Sequence, residues 1–151
     1  MLEHILKLFA NPETTEITPT AEDCREAVAA ILVEAARADG VYAAGEAAMI
    51  SRILADRYGL SPAEATRLRE IGEAAQAAAP DLVRFTRAVK RLVPPEDRIA
   101  VIEAIWSVAY ADGEKDDHEH ALVRKMAGLL YIPDAEVGAA RKRVAARYGL
   151  A

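Results

Sequence analysis

Aromatic side chains are scarce in this chain, at 5% of residues. That is poor material for a β-sheet, whose strands favour aromatic and β-branched residues, but ordinary for closely packed helices. Cysteine is scarcer still. Cys24 stands alone, so no intrachain disulfide can form and a reducing compartment is expected. Runs of basic residues are also missing: 19 basic residues face 24 acidic ones, for a formal net charge of −5. Phosphate backbones select a basic footprint, so nucleic acid is not an expected partner. No apolar run approaches the roughly 20 residues of a membrane span, and the opening Met1 to Ala10 is too short and polar for a secretory signal. A cytoplasmic protein that does not cross a membrane is expected. Glycine-rich phosphate loops, a nucleophile elbow and zinc-ligand spacing are absent as well, which argues against an enzyme and leaves no catalytic residue to nominate.

What the chain does have is apolar residues at helical spacing. They make up 52% of the sequence, and many are alanine, the strongest helix former. Residues 1–19 read as a short helix carrying Leu2, Ile5, Leu6 and Phe9, followed by a proline- and threonine-containing linker. Residues 20–151 read as one all-α domain, a compact bundle that brings the expected total to seven or eight helices. Asp39-Gly40 and Asp112-Gly113 stop two long helices, because glycine tolerates the left-handed conformation at a helix end. Ser61-Pro62-Ala63-Glu64 opens another, with a capping serine, proline at the first helical position and glutamate closing a capping box. Along residues 81–92, Leu82, Phe85, Val89 and Leu92 are expected inward and Arg84, Arg87, Lys90 and Arg91 largely outward.

The sequence is internally duplicated. Asp39 and Asp112 lie 73 positions apart, and the same offset relates Arg25 to Arg98, Glu46 to Glu119 and Tyr58 to Tyr131. Further on, the register slips by one, pairing Leu60 with Ile132 and Glu64 with Glu136. Each copy is a helix, an Asp-Gly turn, a helix, a short turn and a third helix. Neither copy can bury its apolar faces alone, so the two are expected to pair about a pseudo-twofold, the helices before Asp39 and Asp112 side by side.

In each copy the Asp-Gly pair is followed by five residues and a glutamate, the spacing of the second half of an EF-hand loop. The first half is missing, since Ala35 and Arg37, and Val108 and Tyr110, occupy its ligand positions. A site shared by both loops would offer four carboxylates, Asp39, Glu46, Asp112 and Glu119, to a hard cation such as calcium or magnesium. The competing account is helix punctuation: Glu119 completes a capping box with Asp116, and Glu46 lies in a first turn, where the helix dipole favours a carboxylate. Against it, Ala43 has no side chain with which to cap, and yet Glu46 is present. His118 and His120 are two apart in a helix, on different faces, and cannot jointly grip a metal. Cys24 and Trp106 are expected in the core, and the basic residues of 84–91 and 141–147 on solvated helix faces.

The paired Ala-Asp-Gly turns, with Val41 to Glu46, Arg57 to Pro62 and Glu96 to Ala104, resemble the TerB family of tellurite-resistance proteins over roughly residues 20–148. The resemblance implies an all-helical cytoplasmic protein with an acidic surface suspected of holding a cation, carried here by Asp39, Glu46, Asp112 and Glu119. A related domain precedes the J-domain of a membrane-anchored co-chaperone. The expected function is a non-enzymatic interaction module for a protein partner in a stress-response or membrane-peripheral assembly. The alternative is a metal-independent scaffold or co-chaperone-like domain.

Overall fold

The computed structural model describes residues 21–37, 42–78, 82–110, 117–147 and 149, without the side chains of 82–85, 88, 117–120 and 122. The expected N-terminal helix and linker, and both Asp-Gly turns, lie outside the described residues. Within them are seven α-helices, one 3₁₀ turn and no strand. The helices are α1 (Ala21–Arg37), α2 (Ala44–Tyr58), α3 (Pro62–Ala78), α4 (Leu82–Leu92), α5 (Arg98–Ala109), α6 (Asp117–Leu129) and α7 (Asp134–Arg147), with Pro95–Asp97 forming the 3₁₀ turn before α5.

α1 is the centre of the bundle. Every residue from Ala27 to Val33 is fully buried, because the helix is apolar all round and packs on α2, α3, α4 and α5. Its most extensive contact is with α3, where Gly72 lets the two backbones approach. A Cβ at Gly72 would stand 2.8 Å from the Ala29 carbonyl carbon. Helix α5 is the second buried rod, with Val101, Ile102, Ile105, Trp106 and Val108 in the same core. The inward face of α4 is as expected at Val89, which is buried, while Arg87 and Arg91 are exposed.

α1 packs on α5, and it packs most extensively on α3, as α5 does on α7. Arg25 lies over the Tyr58 ring at the end of α2, 5.2 Å from its centroid. Arg98 donates to the Leu130 carbonyl just past α6 (3.4 Å) and to the Lys90 and Val93 carbonyls at the end of α4 (2.8 and 3.2 Å). Gly59 ends α2 in the left-handed region (φ 63°), and the Leu60 N–H donates to Ala55 at 3.0 Å. Past α6 the left-handed residue is Tyr131 (φ 59°), with the Ile132 N–H donating to Ala127 at 2.9 Å. Tyr131 thus takes past α6 the left-handed conformation that Gly59 takes past α2.

Candidate functional site

Of the four candidate carboxylates, Glu46 is the one whose side chain is described. Asp39 and Asp112 lie outside the described residues, and Glu119 falls in the first turn of α6 with its side chain outside them. Glu46 is 4% exposed, and its Oε1 accepts the Ala43 backbone N–H at 3.0 Å. It therefore performs half of a capping box without needing a capping side chain at Ala43, which accounts for a glutamate there on local grounds. Glu46 borders a cavity of about 10 Å³ together with Ala35 and Ala36 of α1 and Val108 and Ala109 of α5. Those four residues are two pairs related by the 73-residue offset. The stems that lead into the two Asp-Gly turns thus meet at Glu46. The cavity is near the lower limit for a single water and has no room for a substrate. Among the described residues no three His, Cys, Asp or Glu side chains are grouped to hold a metal.

Arg37 and Tyr42, on either side of residues 38–41, are both bonded to α3. Tyr42, just after residues 38–41, donates its hydroxyl to Glu73 Oε2 at 2.5 Å, and burial together with that bond to a carboxylate pushes its phenol well above the ordinary range. Arg37, just before them, stacks on the Tyr42 ring (4.9 Å) and donates to the Gln76 side chain and the Glu73 carbonyl. Gln76 in turn donates to Glu34 Oε2 at 2.7 Å, and Arg69 pairs with Glu73 at 3.4 Å while donating to Ser51 Oγ at 2.9 Å. This network is not apparent in the sequence. Its one trace there is the polar stripe Arg69, Glu73 and Gln76 at helical spacing on an otherwise alanine-rich helix. The second copy has Tyr110 and Lys115 in place of Arg37 and Tyr42, and its stem carries a Trp106–Tyr110 stack instead, centroids 5.8 Å apart.

Other expectations fare unevenly. Trp106 is core, at 3% exposed. Cys24 is half-buried, and desolvation raises its thiol above the usual range. The side chains of His118 and His120 lie outside the described residues. The basic end of α7 is not simply solvated: Arg143 Nε donates to Glu103 Oε1 at 2.7 Å, with Arg147 3.7 Å from the same oxygen. Beside that pair runs an open groove of about 590 Å³ between α2 and α5. Met49, Ile53 and Ala100 give it an apolar floor, and Arg52, Arg57 and Arg147, with Asp56 and Glu103, a charged rim.

No helix among the described residues is long and apolar enough to cross a membrane. A family model described as Tellurite resistance protein TerB matches residues 25–142, most of the chain. No curated protein and no solved structure matches it.

Proposed function

The chain belongs to the TerB family, and from that premise we propose that it is a non-enzymatic, divalent-cation-responsive interaction module associated with tellurite resistance and stress response. It works in the cytoplasm, in some cases at a membrane-peripheral assembly, and its partner is a protein rather than nucleic acid. The cation, calcium or magnesium, is held by Asp39, Glu46, Asp112 and Glu119. One observation carries this reading: buried Glu46 sits where the stems of both Asp-Gly turns converge. Carboxylates drawn together at such a junction repel one another, and a hard cation removes the repulsion. The arginine-rimmed groove suits a protein partner, because an apolar floor inside a charged rim is how interfaces are built.

Calcium or magnesium titrated into chelator-treated protein, followed by isothermal calorimetry, tests the site. A saturable heat that disappears in Asp39→Asn with Asp112→Asn supports it, and its absence in the unaltered protein overturns it. A second reading is favoured by the Glu46–Ala43 bond. In it the acidic turns only end and begin helices, and the domain is a metal-independent scaffold or co-chaperone-like module. It predicts no heat with either cation.

A further inference from the structure

Between α5, α6 and α7 lies a further open cavity, of about 270 Å³. Trp106 and Val137 give it an apolar base, Arg124 of α6 and Arg141 of α7 line it, and Asp134 is the one carboxylate among the described residues that line it. Gly138 lies on its exposed side, where a Cβ built on it meets no atom within 4 Å. Its volume is several times the roughly 30 Å³ share of one water, yet at the bottom of the range for drug-sized ligands. The occupant it suits is small.

The charges say what kind of occupant. Arg143, two residues along α7, is paired with Glu103. Arg141, partly buried, and Arg124, exposed, have no hydrogen bond or ion pair among the described residues. A guanidinium cannot shed its proton, so two of them bordering one cavity beside a single described carboxylate leave a net positive charge that an anion neutralises. Their planar forks match the oxygens of an oxyanion, two per arginine. Asp134 acts in the opposite sense. It repels an anion with no proton left, but accepts a hydrogen bond from one that keeps a hydroxyl.

We propose that the cavity bounded by Trp106, Arg124, Asp134, Gly138 and Arg141 binds a small multivalent oxyanion of the phosphate type, one that retains a proton near neutral pH. The arginines hold its oxygens, Asp134 accepts its O–H, and the base of the cavity excludes water beneath it. Inorganic sulfate, of the same shape and without that proton, is the discriminating comparison.

The test uses the full chain, inorganic phosphate and inorganic sulfate at constant ionic strength. Its readouts are calorimetry and the fluorescence of Trp106, the single tryptophan. Phosphate is expected to bind saturably, and Arg124→Gln or Arg141→Gln each to weaken it by about tenfold or more, the loss of one charge-assisted bond. Gly138→Leu, which fills open space, is expected to abolish binding while the protein still melts cooperatively. Sulfate is expected to bind more weakly than phosphate, and Asp134→Asn to remove the preference. No saturable phosphate binding up to about 10 mM, an affinity outside any useful site, overturns the proposal. So does unchanged binding in Gly138→Leu, or equal affinity for phosphate and sulfate in the unaltered chain.

Discussion

Tyr131 holds the left-handed backbone (φ 59°) that Gly59 holds (φ 63°) at the corresponding helix end, with Lys90 Nζ 4.0 Å from the centroid of its ring. An L-residue in that region costs about 1–2 kcal/mol, and a cation over an exposed ring returns about 0.5–1 kcal/mol. Tyr131→Gly removes both terms. In a Lys90→Met background it is expected to stabilise the protein by about 1 kcal/mol, and in the unaltered protein by less. Urea unfolding of the four proteins in this cycle measures the difference. Equal effects in both backgrounds would show that the lysine contributes nothing.

Two glycines in helices are expected to respond in opposite directions to alanine. At Gly72 a Cβ meets the Ala29 backbone at 2.8 Å, so Gly72→Ala is expected to cost about 1–3 kcal/mol through forced separation of α1 and α3. At Gly138 the Cβ enters open space, and Gly138→Ala is expected to gain about 0.5–1 kcal/mol from helix propensity. Thermal melts of the two variants give the signs directly.

Much of the fold was legible because its signals are local. Ser61 and Glu64 exchange both capping-box bonds at 3.2 Å, as four consecutive residues announce, and Gly59 ends α2 in the left-handed region that glycine tolerates. What was not legible depends on partners far along the chain. Arg98 reaches carbonyls of α4 and beyond α6, and Glu103 gathers Arg143 and Arg147 from forty residues away. The burial of Glu46 belongs to the same class, because it follows from the meeting of α1 with α5 and not from any pattern around residue 46. Tyr131 was hidden for another reason: nothing in a tyrosine signals a positive φ.

The Tyr42–Glu73 bond makes a prediction about alkaline pH. The Tyr42 phenol is pushed up by burial first and by the Glu73 bond second, so the folded state holds its proton more tightly than the unfolded chain does. The resulting stability is fully present below the unfolded value of about 10 and is lost as pH rises beyond it. Tyr42→Phe is therefore expected to be less stable than the unaltered protein near neutrality, by about 1 kcal/mol for the lost hydrogen bond. The gap should narrow above pH of about 10. A gap independent of pH would place Tyr42 outside this network.

Glu46 separates capping from cation binding. Glu46→Gln keeps an oxygen for the Ala43 N–H, so in chelator it is expected to stay near the unaltered stability. Glu46→Ala is expected to lose about 1–2 kcal/mol with the cap. With calcium or magnesium present, both variants are expected to lack the stabilisation that the unaltered protein gains. Urea midpoints with and without cation measure both effects.

The proposed cation site has its most direct test in a melting temperature. A cation that binds only the folded state adds about 2.7 kcal/mol at a hundredfold excess over Kd, which raises the melting temperature of a domain this size by about 5 °C. Millimolar calcium or magnesium is expected to produce that rise in the unaltered chain. Asp39→Asn with Asp112→Asn is expected to abolish it while leaving the stability in chelator unchanged or higher, since two repelling charges are gone. A melting temperature that stays flat across both cations in the unaltered chain would contradict the site and leave the scaffold reading in its place.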